Sequence, residues 1–183
     1  GIPLDIAANY AFRFGRPKNV GNSNTETTGI FGIGMKRALF KMGKIFSIHS
    51  ITKTTEFKLD LNVQEWMEKD DNDWDFRFSS YEDHMENKEE NTGTKIEIID
   101  LYSDIAAEFK SESFEKEVIE HIQRRVGLDI VYGIEIIVNE KSLVGNNISL
   151  VDSDDMKPIK KEYQDGDVNV KILSGIAPRI GTK

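Results

Sequence analysis

Gly29, Gly32 and Gly34 fall at a Gly-x-x-Gly-x-Gly spacing in GIFGIGMKRALFKMG, residues 29–43, and Lys36 and Arg37 follow directly. Glycine has no Cβ, so this spacing permits tight or left-handed backbone and lets main-chain N–H groups approach a ligand. If residues 34–43 form a helix, its first N–H groups add a partial positive end that favours a phosphate. The alternative is a close-packed turn that uses the same glycines for packing alone. Two other phosphate loops fail on context. A dinucleotide-binding turn follows a strand, whereas here a polar loop precedes. A P-loop needs four residues between its first glycine and a Gly-Lys-Ser/Thr, and this chain has Gly34-Met35-Lys36-Arg37.

Other chemistry-bearing residues are dispersed. His49, His84 and His121 lie far apart in a chain without cysteine, which is no zinc set. The acidic stretches EKDDNDWD and EDHMENKEEN, between residues 64 and 92, read as solvated loops around a short strand, DFRFS. Their spacing fits no calcium loop, and no metal site is predicted. Ser47 and Ser50 lack triad context. Trp66 and Trp74 flank the acidic loop as anchors or as a partner surface. Phe12, Phe14, Phe31, Phe40 and Phe46 read as core, with Phe31 also a candidate wall of a nucleotide pocket.

The elements that would position these residues follow from periodicity. Ile6, Tyr10 and Phe14 recur at intervals of four, and Pro3 suits an early helical position, so the pattern predicts a helix over 3–14. Residues 15–28 are almost without apolar side chains and predict a loop. Met35, Leu39 and Met42 mark one face of a helix that Gly43 ends. Strands are predicted over 44–51, 55–62, 94–100 and 167–175, with a strand and turn over 133–144. SESFEKEVIEHIQRRV, 111–126, predicts the longest helix, with Phe114, Val118 and Ile122 on one face. These elements show no regular βαβ alternation, which predicts an α/β sandwich over a doubly wound sheet.

Composition bounds the function. The 183 residues are 38% hydrophobic and 31% charged with a net charge of -8, which suits a globular domain and argues against a general nucleic-acid scaffold. No apolar run approaches a membrane span. No signal peptide opens the sequence, so a cytoplasmic location is the expectation. Its first residues read as the interior of something longer.

GIP at 1–3, AFRFG at 11–15, GIFGIGMKRALFKMG at 29–43 and NTGTKIEI at 91–98 together resemble, in order, the ATP-binding domain of the GHKL superfamily. That group includes gyrase-type ATPases, ninety-kilodalton heat-shock chaperones, sensor histidine kinases and MutL. The likeness is greatest to the chaperone-like and microrchidia-like branches. It implies a Bergerat two-layer sandwich of a mixed β-sheet and helices. Residues 1–110 would be a partial ATP-binding domain with its lid at 15–28, and 111–183 its continuation or the start of a transducer-like region.

The resemblance also implies roles. Gly1 and Ile2 would end the family's Asp-x-Gly-x-Gly-Ile box at the adenine pocket. Backbone N–H groups of Gly32, Ile33, Gly34 and Met35, behind Gly29, would hold the triphosphate, with Lys36 assisting electrostatically or facing solvent. Thr94, after Gly93, would reach the adenine through a water. ATP with Mg2+ would be the cofactor of a complete protein. The family's water-activating Glu, magnesium-binding Asn and adenine-reading Asp lie upstream of that box's last glycine, so the 183 residues read as a catalytically incomplete piece. The implied function is an ATPase-like module that couples nucleotide to shape change or to a nucleotide-dependent homodimer, serving a client protein or a DNA-processing partner. The alternative is a non-catalytic interaction domain that keeps the fold without the nucleotide.

Overall fold

The computed structural model describes residues 1–13, 33–69, 75–83, 86–87, 89–145 and 150–177. They divide into two units, Gly1–Ser111 and Glu112–Lys183. The sequence-predicted lid at 15–28, together with Phe14, Gly29, Phe31, Gly32, Trp74 and His84, lies outside the described residues.

The first unit is built on a four-stranded sheet of β1 (Gly43–Ile51), β2 (Thr55–Asn62), β3 (Ser80–Asp83) and β4 (Gly93–Leu101), in the order β3-β2-β1-β4. Every described pairing is antiparallel. The α/β class therefore holds, whereas the resemblance implies a mixed sheet.

Alternation along the strands separates the two faces. Phe46, Ile48 and Ser50 on β1 stand opposite Leu61, Leu59 and Phe57 on β2, and all six are buried. Ser47 and His49 face the other way, beside Asp60, Lys58, Glu97 and Lys95. That second face is held by the ion pairs Lys58–Asp60 at 3.2 Å and Lys95–Glu97 at 2.8 Å and by the His49–Glu56 hydrogen bond at 2.7 Å. One apolar face and one polar face is the pattern of a sheet covered on one side only.

Helical segments cover the apolar face. The first is not the regular helix that the spacing predicts. A short α1 (Leu4–Ile6) passes into a π-helical turn, Ala7–Ala11, with Phe12 N–H donating to the Ala7 carbonyl at 3.3 Å. The wider winding puts Ala7 and Phe12 into the core and leaves Ile6 and Tyr10 exposed, so the face read from a spacing of four is the wrong one. Pro3 is the extended residue before the helix.

α2 (Gly34–Met42) and α3 (Val63–Met67) bring in Leu39, Val63 and Trp66. Phe12, Phe40, Phe46, Phe57, Phe76 and Phe78 join Trp66 in an aromatic cluster with centroid separations from 5.0 to 6.3 Å. Residues 75–78 form no strand. Phe76 instead stacks on Trp66 at 5.5 Å, and ladder pairing starts only at Ser80, opposite Lys58. Trp66 is thus an anchor, and its Nε1–H reaches the Asp75 carbonyl at 3.4 Å. Asn62 caps α3 by accepting from the Gln64 and Glu65 amides. The unit ends with α4 (Ser103–Phe109), which periodicity does not predict.

The second unit opens with α5 (Phe114–Val131), which kinks at Val126 and continues past the predicted end. A hairpin of β5 (Ile137–Val138) and β6 (Lys141–Ser142) turns through Asn139 and Glu140, both at positive φ. Glu115 ties it to α5 by accepting from Lys141 Nζ at 2.6 Å and Asn139 Nδ2 at 3.1 Å. A second hairpin pairs β7 (Ile159–Asp165) with β8 (Val168–Ser174).

Candidate functional site

Ser50 organises a place where sequence-predicted site residues distant in the sequence meet. Its side chain points inward from β1 and is fully buried. The Ser50 Oγ accepts from the Ile2 amide at 2.7 Å and lies 3.2 Å from the Ile2 carbonyl, 3.4 Å from the Gly93 carbonyl and 2.9 Å from Thr94 Oγ1. Thr94 Oγ1 also lies 3.2 Å from the Ile2 amide. The start of the chain is pinned further by Leu4 N–H, which donates to Thr55 Oγ1 at 3.3 Å.

Gly1 completes this cluster for a steric reason. A Cβ there would lie 2.1 Å from the Ile51 carbonyl oxygen and 2.6 Å from that of Gly93. Backbone, not a movable side chain, fills the space, so only glycine fits against the Ile51–Gly93 pair of β1 and β4. Gly93 differs, because a Cβ there would meet nothing within 4 Å. Four of the predicted residues, Gly1, Ile2, Gly93 and Thr94, are therefore neighbours. The serine that joins them is a site residue that sequence reasoning missed. Its one trace in the sequence is a hydroxyl among the apolar residues on the buried side of β1, and the register with Thr94 that gives it a role is visible only in the fold.

A hydroxyl carries one hydrogen and two lone pairs. Ser50 and Thr94 can therefore share their hydrogens in either of two arrangements. If Thr94 donates to Ser50, Ser50 donates to a carbonyl, and Thr94 keeps a lone pair for an incoming donor. If Ser50 donates to Thr94, the Thr94 hydrogen is released for an acceptor. Thr94 itself is exposed. The pair is thus able to meet either edge chemistry of a base, or a bridging water. A shallow groove of about 320 Å³ runs alongside, lined by His49, Ile51, Asn91, Gly93, Thr94 and Lys95.

The glycine-rich stretch enters the described residues at Ile33. Among the described residues, no side chain caps α2 at Gly34 and a Cβ on Gly34 would meet nothing within 4 Å. The first N–H groups of a helix have no intrahelical acceptor, so this end is an electropositive backbone surface. Met35 is half-buried against the core. Lys36 is only 2% exposed, and its Nζ donates to the Ala11 carbonyl at 2.9 Å. Burial lowers its pKa below the ordinary lysine value. Its side chain thus turns away from solvent and reaches the end of the π-turn.

Magnesium is not served by the Ser50 cluster. Its polar groups are two neutral hydroxyls and main chain, and none of its residues brings a carboxylate. Among the described residues, no three His, Cys, Asp or Glu side chains gather as a metal set. No described helix is long and apolar enough to cross a membrane. Comparison of the chain with protein-family models, with curated proteins and with solved structures gives no match.

Proposed function

We propose that the chain is part of an ATP-binding module of the GHKL type, in which nucleotide binding is coupled to a change of shape or to dimerisation. One observation carries this reading. Ile2 and Thr94 are 92 positions apart, yet they share the Ser50 hydroxyl, and the resemblance places their two motifs on one wall of an adenine pocket. The uncapped start of α2, at an unobstructed glycine, adds a surface of the kind that holds phosphates. Ser50 and Thr94 would orient the base, directly or through a water, and the Gly34 and Met35 amides would meet the phosphates. No hydrolytic step is assigned, because the cluster supplies neither a metal ligand nor a group to orient water.

A second reading has its own support. The Thr94 hydroxyl and the Lys36 ammonium are both engaged within the protein, as suits an interaction domain that keeps the fold without the nucleotide. Amide NMR titration with ATP, with and without Mg2+, separates the two. Under the first reading the Ile2, Thr94, Gly34 and Met35 signals move together and saturate, without turnover. Absence of any shift at millimolar ATP, with the fold intact, rejects the first reading and leaves the second.

A further inference from the structure

The β7–β8 hairpin sorts its side chains by face. The register sets Ile159 opposite Ser174, Lys161 opposite Ile172, Tyr163 opposite Val170 and Asp165 opposite Val168, so these eight share one face. Lys160, Glu162, Gln164, Asn169, Lys171 and Leu173 point the other way. On the first face Ile159, Tyr163, Val168, Val170 and Ile172 are between 44% and 61% exposed. A two-stranded ribbon is marginal in water, and its apolar face needs a cover. Lysines at 160, 161 and 171 oppose edge-to-edge extension. The open surface is the face.

Two charges on that face select its occupant. Lys161 and Asp165 lie on β7, one on each side of Tyr163. Consider a second copy laid over the first about a two-fold axis that crosses the strands at the Tyr163–Val170 pair. Lys161 then lies over Asp165 of the second copy, and Asp165 over its Lys161. Tyr163 and Val170 meet their own equivalents, and Ile172 meets Val168. An axis along the strands would instead set Lys161 over Ile172 and Asp165 over Val168, burying each charge against an apolar group. Only the crosswise axis pairs both the charges and the apolar rows.

We infer that this face joins two copies of the chain in an isologous dimer, with the Lys161–Asp165 pair setting its direction. This association is independent of the nucleotide reading. The face is short, and it buries less than the roughly 1,200 Å² of a standard stable interface. The dimer is therefore weak, with a Kd on the order of 100 μM.

Sedimentation of the full chain without nucleotide tests this, over roughly 10 μM to 1 mM, a range that brackets such a Kd. The natural sequence, Lys161→Asp, Asp165→Lys, the double exchange and Tyr163→Ser are compared, with circular dichroism to check each fold. The natural chain should dimerise, each single reversal should raise Kd about tenfold, and the double exchange should restore it. Tyr163→Ser should weaken the dimer while both charges stay in place. A natural chain that stays monomeric throughout overturns the inference. So does a dimer indifferent to both single reversals, or a double exchange no better than either single.

Discussion

The hydroxyls of Ser50 and Thr94 lie 2.9 Å apart across the β1–β4 pairing, and the Ile2 amide reaches the serine at 2.7 Å. One buried side chain thereby holds the start of the chain and the start of β4 together. Ser50→Ala removes the acceptor of the Ile2 amide and leaves it only the longer contact to Thr94. The expected loss is about 1–3 kcal/mol, the range for a buried polar group that loses its partner. Urea unfolding should show a lower midpoint at unchanged slope, with faster hydrogen exchange at Ile2. Thr94→Val should cost less, since Thr94 is exposed and the Ile2 amide keeps its shorter bond to Ser50. An Ser50→Ala chain as stable as the parent would show that the cluster holds nothing.

Two glycines of the same segment should respond oppositely to alanine. At Gly43 a Cβ would lie 2.6 Å from Ile98 Cγ2 and 3.2 Å from the Asp100 carbonyl. Gly43→Ala should therefore destabilise by roughly 1–3 kcal/mol through overpacking. At Gly34 the space is open and the residue begins a helix, so Gly34→Ala should stabilise by up to about 1 kcal/mol. Thermal melts of the two variants check the signs. If phosphates approach Gly34, the same alanine should also weaken ATP binding by about tenfold, roughly 1.4 kcal/mol. A variant that is more stable and binds ATP as before would make Gly34 a structural choice.

These contrasts show what the sequence made legible. Alternation, clear in TEFKLDLN and looser in KIFSIHSI, located β1 and β2 to within a residue, because a half-buried strand writes its period directly. The first helix misled because its winding changes at Ala7, and no spacing rule announces a π-turn. Phe76 and Phe78 alternate like strand residues, yet aromatic packing claims them. α3 was within reach, since Asn62 followed three residues later by Glu65 is a capping signal at a helix start. Gly43 lies where a helix-ending glycine is expected, but its backbone is extended, and the pressure on it comes from β4. Ser50 was illegible as a site residue because its role depends on register with a strand 44 positions away.

Asp60 supplies a pH dependence on the polar face of the sheet. Burial pushes its carboxyl up, but hydrogen bonds from Ser47 and Ser79 and the Lys58 ammonium outweigh that, and its pKa falls below the ordinary value. A depressed carboxylate contributes stability above its unfolded pKa and loses it as pH falls through the folded one. Stability should decline on acidification below about pH 4, in part through this group. Carboxyl NMR titration should place Asp60 below the other exposed aspartates, and Ser47→Ala should raise it. An Asp60 that titrates with the rest would remove this contribution.

Lys36 predicts the opposite slope at the alkaline end. Its ammonium is buried, and burial lowers its folded pKa, whereas in the unfolded chain it titrates near 10.5. Between the two values the unfolded state holds more protons than the native state, so stability rises with pH across that window. Below the window Lys36 is charged in both states, and its full desolvation cost is present, offset by the bond to the Ala11 carbonyl. Lys36→Met keeps the length and the apolar stem but cannot titrate. The difference in stability between parent and variant, followed by urea unfolding from pH 7 to 10.5, should therefore shift in favour of the parent as pH rises. Its slope is bounded by about 1.4 kcal/mol per pH unit for one proton. A difference that stays flat over the range would show that Lys36 keeps its ordinary pKa, and that its ammonium reaches water despite the geometry.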